Sequence, residues 1–266
     1  KRTAKYFEFL KKNNFSKKIR KITGLIIDPY FSATKINWLL KKIKISKKLI
    51  KNGNLLFGTI DTWLLWNLTN KKSHFTDITN ASRTMIFDIR KEIWSKEILS
   101  KFNIPASILP EIKPNVYKFG TTNICGLKIP IGGMIGDQQS ATIGQSCFKK
   151  GESKITFGTG CFLITNIGDK FKLSKNNLLT SITYKIGDKK MFCFEGGIFV
   201  AGSAIQWLRD KLKLFKKSSE VENLAKKRNL NEKVIFIPTL TGIGAPYWNP
   251  YIRGAIFEIT RNTKIQ

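Results

Sequence analysis

Residues 155–165 read ITFGTGCFLIT, in which two β-prone runs flank Gly158, Thr159 and Gly160. Apolar and β-branched residues on both sides predict a pair of strands, and the glycines predict a turn that joins them. Two glycines beside a threonine also let the backbone approach an anion closely, with the hydroxyl as an added donor. The stretch matches neither common nucleotide-loop pattern, so alone it indicates a hairpin or an anion-binding turn.

Downstream of this turn, helical and strand-like segments alternate. Residues 191–194 and 234–237 form short β-like runs. Between them, residues 201–217 predict a helix, and a capping box at Ser219 and Glu222 predicts the start of another. Strands that alternate with helices predict an α/β protein.

Upstream of the turn, the pattern is mainly helical. We expect a helix up to about residue 14, a second that Ser32 caps and that ends near Gly53, and a third over residues 59–68. Residues 121–136 indicate loop and strand. The inward face of the second helix is predicted to carry Ile36, Leu39, Leu40 and Ile43. The short polar segment 149–151 predicts a boundary between domains at residues 1–148 and 149–266.

The charge of the chain is strongly positive, with 47 Lys and Arg against 18 Asp and Glu, a net charge of +29. The basic residues are scattered along the whole chain, and only eight of them are Arg, the side chain that base readout and bidentate phosphate contacts favour. We therefore interpret the charge as a solvated lysine-rich surface and expect no nucleic-acid partner.

Cysteine and histidine patterns favour neither a disulfide framework nor a metal site. The four cysteines form no C-x-x-C pair, and the single histidine, His74, is predicted to lie in an exposed turn before a strand. No uninterrupted apolar run approaches the roughly 18 residues that a membrane helix needs. We expect a soluble cytoplasmic protein with reduced thiols, no resident metal and no membrane partner.

Two further clusters carry residues suited to catalysis or binding. Gly136-Asp137-Gln138-Gln139 follows an apolar run, so Asp137 could accept a proton from a hydroxyl at the end of a buried strand, although turn or cap residues are common there. Glu195-Gly196-Gly197 precedes the small residues of 201–204, which leave room for a ring or a phosphate at a helix start. Close packing of that helix on a sheet is the alternative.

Together, several stretches resemble the FGGY family of carbohydrate kinases, and most closely its members that phosphorylate glycerol. Residues 30–39 (YFSATKINWL) resemble a family signature, although Lys42 replaces the polar residue that usually ends it. The resemblance runs from about residue 2 to residue 261. The other stretches are 23–30 (TGLIIDPY), 57–64 (FGTIDTWL), 79–85 (TNASRTM), 136–139 (GDQQ), 158–162 (GTGCF) and 241–248 (TGIGAPYW).

The resemblance implies two actin-like, ribonuclease-H-like ATPase domains, both incomplete, with the active site in the cleft between them. Residues 1–148 would belong to the N-terminal, substrate-side domain and residues 149–266 to the C-terminal, nucleotide-side domain. By position, Asp137 would be the catalytic base, and Tyr30, Gln138 and Phe162 would bind the substrate. By the same resemblance, the residues that bind ATP would be Thr159, Gly202 and Gln206.

The function that the resemblance implies is ATP-dependent phosphorylation of glycerol to sn-glycerol 3-phosphate, with Mg²⁺ bound to the nucleotide, by an enzyme that is a homo-oligomer when complete. The family segments that precede and follow this stretch are missing, so we expect an internal fragment that is inactive alone. Near the end, Asn249, Glu258 and Asn262 depart from the family pattern, and the short loop 124–128 lacks the element linked to allosteric inhibition in some members. A kinase for another polyol or sugar, an inactive truncated product and a basic binding protein are the alternatives.

Overall fold

Helices and strands alternate along the chain in the computed structural model, which describes residues 3, 10, 15–227 and 233–264. This confirms the expected α/β class. The helix predicted up to about residue 14 falls mainly outside the described residues. The chain forms two compact units: a first unit of Lys1–Lys154 and Ile164–Glu195, and a second unit of Ile155–Leu163 and Gly196–Gln266. The boundary expected at residues 149–151 stays a prediction.

The helices among the described residues are short, from four to eleven residues. They are α1 (Phe15–Thr23), α2 (Ser32–Lys42), α3 (Ser46–Lys51), α4 (Ile60–Leu68), α5 (Ile78–Ala81), α6 (Lys96–Lys101), α7 (Asp137–Gly144), α8 (Gly202–Asp210) and α9 (Glu220–Lys226). A 3₁₀ turn covers Ala106–Ile108. The helix predicted over residues 59–68 is confirmed as α4, with Thr59 as its N-cap residue. None of the helices within the described ranges is long and apolar enough to cross a membrane.

Within the part of the chain that the structure describes, the strands form one four-stranded sheet and four two-stranded pairs. They are β1 (Phe75–Asp77), β2 (Phe87–Asp88), β3 (Ile93–Trp94), β4 (Glu111–Lys113), β5 (Val116–Ile124), β6 (Leu127–Gly133), β7 (Ser153–Phe157), β8 (Cys161–Gly168), β9 (Leu179–Ile186), β10 (Lys189–Ile198), β11 (Ile235–Ile237) and β12 (Ala255–Phe257). The larger sheet has the order β7-β8-β10-β9, and β1 pairs with β4 in parallel. The strand pair predicted on either side of Gly158–Gly160 is confirmed as β7 and β8.

The core of the first unit lies where α5 packs against the four-stranded sheet. Ile78 and Ala81 of α5 lie in one buried cluster with Phe87, Ile89, Ile167, Ile182 and Phe192. Burial of each large apolar side chain contributes about 1.5–3 kcal/mol. This packing fixes α5 and the preceding strand β1, whose last residue is Asp77.

The second predicted helix is wrong in its extent and partly in its inward face. Helix α2 ends at Lys42, and α3 begins separately at Ser46. Ile36 is buried as predicted, but the side chains of Leu39 and Ile43 are 47% and 39% exposed. The helix turns a more polar face inward, because Asn37 is buried and its amide donates to the Phe102 carbonyl at 2.6 Å. Ser32 is the first helical residue, and Phe31 is the N-cap.

The two helices predicted after residue 200 also differ in detail. Helix α8 ends at Asp210 instead of residue 217, and Lys213 beyond it has a left-handed backbone with φ of 56°. Helix α9 forms where it was predicted, but Ser219 makes no side-chain capping bond. Instead, Glu220 accepts from the Lys217 amide at 3.0 Å, so an acidic side chain in the first turn satisfies a main-chain donor there.

Candidate active site

Asp137 is the first residue of α7 and its carboxylate is exposed. The strand before it is not buried as expected, because most residues of β6 are exposed, and Asp137 begins a helix instead of ending a strand. The residue before it, Gly136, is buried and its amide donates to the Thr79 hydroxyl at 2.9 Å. A carboxylate at a helix start is stabilised by the unpaired amides of the first turn. The helix start thus presents Asp137 to solvent from a fixed backbone.

A buried carboxylate, Asp77, supports the backbone at Gly136 through Thr79. It accepts from the Thr79 main-chain amide at 2.6 Å, the Thr79 hydroxyl at 2.5 Å and the Asn115 side-chain amide at 2.8 Å. The side-chain amide of Asn80 also donates to it at 2.6 Å. Thr79 therefore links Asp77 to Gly136, one residue before Asp137. Asp77 was not predicted from the sequence, although it lies two residues before the family motif at residues 79–85.

Burial of Asp77 makes protein stability depend on pH. Burial raises its pKa from 3.8 to about 6, against hydrogen bonds from Thr79 and Asn80 that lower it. The folded protein therefore binds this proton more tightly than the unfolded chain, so Asp77 favours the folded state at low pH. That contribution declines as the pH rises from about 4 to about 6, by roughly 3 kcal/mol.

We expect Asp77→Asn to remove this decline. The measurement is the free energy of unfolding in urea at pH 4, 5, 6 and 7 for the wild type and the variant. Other carboxylates, such as Glu92 between Lys185 and Lys190, titrate in both proteins, so the informative quantity is the difference between the two curves. Asp169→Asn, at an exposed position, is the matched control and should follow the wild type. A difference that stays constant with pH would contradict the prediction.

Gln138, the second residue of α7, lies between Asp137 and a buried lysine. Its amide nitrogen donates to the Asp137 carboxylate at 3.2 Å, and its amide oxygen accepts from the Lys154 ammonium at 2.5 Å. Lys154 is 6% exposed, and burial lowers its pKa, while the nearby carboxylates of Asp137 and Glu195 act in the opposite direction. The sequence reading did not single out Lys154, because a lone lysine in a lysine-rich chain carries no pattern.

Tyr30 is joined to this region through an ion pair. The guanidinium of Arg83 lies 5.8 Å from the centre of the Tyr30 ring and pairs with Glu195 at 2.8 Å. Glu195 also accepts from the buried Gln139 of α7 at 3.2 Å. Tyr30 is half exposed. Tyr30 is thus linked through Arg83 and Glu195 to α7, the helix that carries Asp137 and Gln138.

In the second unit, the turn after β7 is bound to the start of α8 by main-chain hydrogen bonds. The Thr159 carbonyl accepts from the Ala201 amide at 2.9 Å, the Ser203 amide at 3.2 Å and the Ser203 hydroxyl at 2.9 Å. The Gly202 amide donates to the Gly158 carbonyl at 2.9 Å. A Cβ atom added at Gly202 would lie 2.6 Å from that oxygen, so this close approach requires glycine. The structure therefore brings Thr159 and Gly202 together.

The other two predicted residues of the second unit are Phe162, in β8 after the turn, and Gln206, in α8. The Phe162 ring is half buried, and a Cβ atom added at Gly197 would lie 3.3 Å from it. Gln206 lies on α8, one turn after Gly202, and is exposed. Positions four apart share a helix face, so Gly202 and Gln206 can contact the same ligand.

His74 contacts other residues of the fold through both its ring nitrogen and its ring edge or face. Its Nε2 atom lies 2.8 Å from the Phe57 carbonyl oxygen, and its ring meets Trp66 edge to face. It precedes strand β1 as predicted, but it is half buried instead of exposed. Across the described part of the chain, no group of three or more His, Cys, Asp or Glu side chains is arranged to hold a metal ion.

Comparison with known proteins decides the family. The N-terminal domain of the FGGY family of carbohydrate kinases matches residues 1–144, and the C-terminal domain of the same family matches residues 153–266. The chain belongs to the FGGY family of carbohydrate kinases. The resemblance seen in the short motifs is thereby confirmed over nearly the whole chain.

Among FGGY kinases, the similar relatives include glycerol kinases. The chain is 50% identical to a glycerol kinase of Alteromonas mediterranea over 99% of its length, and 52% identical to one of Pediococcus pentosaceus over 98%. It spans about half the length of these curated relatives, 54% and 52% respectively.

Solved FGGY structures share the fold. The crystal structure of Plasmodium falciparum glycerol kinase with ADP matches with a TM-score of 0.86 and 41% identity, over 100% of this chain and 53% of that one. A xylulose kinase from Lactobacillus acidophilus matches with a TM-score of 0.76 at 21% identity, over 98% of this chain and 53% of its own, which shows the fold alone. These neighbours confirm the expected actin-like, ATPase-type α/β fold.

Proposed function

We propose that the protein is an ATP-dependent glycerol kinase, which transfers the γ-phosphoryl group of MgATP to a terminal hydroxyl of glycerol and forms sn-glycerol 3-phosphate. The observation that carries the proposal is the exposed Asp137 carboxylate at the start of α7, held beside the Gln138 amide. The identity of about 50% to glycerol kinases over nearly the whole chain supports glycerol as the acceptor.

In the proposed reaction, Asp137 takes the proton of the substrate hydroxyl as its oxygen forms a bond to the γ-phosphorus. The bond from that phosphorus to the bridging oxygen breaks at the same centre, and ADP leaves with the electron pair. The protein forms no covalent bond to the transferred group in this reaction, so its residues act mainly by positioning the two substrates and by stabilising charge. Mg²⁺ enters as part of the MgATP substrate and spreads the phosphate charge.

The remaining residues have binding roles in this proposal. Gln138 offers its amide to a glycerol hydroxyl, and Tyr30 and Phe162 contact the carbon chain with their rings. Thr159 contacts the phosphates, and Gly202 and Gln206 contact the adenine nucleotide. The hydrogen bonds that join the Thr159 turn to the start of α8 support this assignment, because they fix three backbone positions that would face one ligand.

Substrate comparison tests the proposal. We expect ³¹P NMR of the full-length protein with MgATP and glycerol to show ADP and glycerol 3-phosphate, with a kcat/KM at least about 100-fold above those for erythritol and xylulose. Preference for either of those compounds would assign the protein to another polyol or sugar, as in the xylulose kinases of the family. Absence of transfer to all three would contradict a kinase function for this protein.

We also infer that the enzyme acts as a homo-oligomer in the cytoplasm, as the resemblance to the family implies. Sedimentation velocity at several protein concentrations measures the first point, and a single monomeric species at all of them would contradict it. Fractionation of the source cells measures the second.

A further inference from the structure

Lys154 is a buried cation close to the candidate catalytic carboxylate. It lies in β7 and is 6% exposed. A charged ammonium group that is removed from water must be compensated by polar partners. Glu195, one nearby carboxylate, is already engaged by Arg83 at 2.8 Å and by Gln139 at 3.2 Å. The Lys154 ammonium donates to the Gln138 amide oxygen at 2.5 Å.

This contact fixes the orientation of the Gln138 carboxamide. Lysine is only a donor, so the side of the carboxamide that faces Lys154 must be its oxygen. The amide nitrogen then faces the Asp137 carboxylate, to which it donates at 3.2 Å. With the carboxamide reversed, the amide nitrogen would meet the ammonium and the amide oxygen would meet the carboxylate, and both contacts would be repulsive.

We propose that Lys154 is a positioning residue that orients the Gln138 carboxamide and, through it, the Asp137 carboxylate for glycerol binding. The inference rests on the proposed function for its kinetic consequence, whereas the orientation of Gln138 is a property of the folded protein alone. Burial lowers the pKa of Lys154, and the nearby carboxylates of Asp137 and Glu195 act in the opposite direction.

The kinetic test is a double-mutant cycle of Lys154→Met and Gln138→Ala in the full-length protein. Loss of a charge-assisted hydrogen bond that positions a substrate donor should raise the KM for glycerol about 10- to 100-fold in Lys154→Met, with the KM for ATP unchanged. In the Gln138→Ala background, the same lysine substitution should change the glycerol KM less than about threefold, because its target is gone. Lys150→Met, at an exposed position four residues earlier, is the control and should match the wild type.

A purely structural role for Lys154 would give a different pattern. Lys154→Met would then raise the KM values for glycerol and ATP together, or it would raise the glycerol KM by the same factor in the wild-type and Gln138→Ala backgrounds. Either result would overturn the inference. Should Lys154→Met fail to fold, Lys154→Gln replaces it, because its polar side chain can remain buried without the charge.

An NMR measurement separates this inference from the proposed function. The side-chain amide signals of Gln138, assigned by their loss in Gln138→Ala, should shift in the Lys154 variant and stay unchanged in Lys150→Met. A shift in a protein that does not phosphorylate glycerol would retain the role of Lys154 and reject the proposed function. Unchanged Gln138 signals in the Lys154 variant would reject the inference, whatever the protein phosphorylates.

Discussion

Asp137→Ala in the full-length protein is expected to lower kcat for glycerol phosphorylation by about 10²- to 10⁴-fold, the usual contribution of a positioned general base. The substitution removes the group that would accept the proton but leaves α7 in place, since alanine is a good helix former and the Gly136–Thr79 hydrogen bond does not use this side chain. The affinity for ATP should be unchanged, because the residues proposed to contact the nucleotide are elsewhere in the chain.

The measurement combines steady-state kinetics with calorimetric titration of ATP into the variant. Asp169→Ala, which truncates an exposed aspartate outside the site, is the matched control and should keep the wild-type kcat. Turnover by Asp137→Ala within a few-fold of the wild type would remove Asp137 from the mechanism. Loss of ATP binding along with turnover would indicate a structural role instead.

Gly202→Ala is expected to lower kcat/KM for ATP by about 10- to 100-fold, because displacement of a binding group by about 1 Å can cost that much. The added Cβ atom would lie 2.6 Å from the Gly158 carbonyl oxygen, well inside contact distance. That oxygen belongs to the backbone, so relief requires the turn and the start of α8 to separate. The hydrogen bond from the Gly202 amide to the same oxygen would lengthen with them.

The control for this substitution is Gly132→Ala in β6, where an added Cβ atom meets nothing within 4 Å. It should leave the kinetics unchanged, and the kcat/KM for glycerol at saturating ATP should stay near the wild-type value in both variants. Equal kcat/KM values for ATP in Gly202→Ala and Gly132→Ala would show that the close approach of Gly202 to the Gly158 carbonyl oxygen does not shape the nucleotide site.

The sequence predicted those features that depend on local chemistry. The turn at Gly158–Gly160 was predicted correctly because glycines between β-prone runs leave few alternatives. Helix α4 was predicted correctly because it carries the apolar run Trp63, Leu64 and Leu65. The family followed from several motifs in one order. The residues proposed for the site were placed by resemblance, and they stay predictions that the substitutions above can test.

The misses share a physical cause, which is that tertiary partners overrode local pattern. Helix α2 buries Asn37 because its partner is the Phe102 carbonyl, 65 residues away in sequence. Asp77 and Lys154 escaped notice because a single carboxylate or ammonium shows no periodicity, and only its buried partners distinguish it. Such long-range hydrogen bonds cannot be read from neighbouring residues.

The bonds between the Thr159 turn and the start of α8 have an evolutionary consequence. They use main-chain atoms and one serine hydroxyl, so most side chains nearby can change without loss of the connection. Where the base composition of a genome drifts toward codons for lysine, isoleucine and asparagine, such side chains can be substituted while Gly202 is retained. The contact between Lys154 and Gln138, which is made by side chains alone, has no such tolerance.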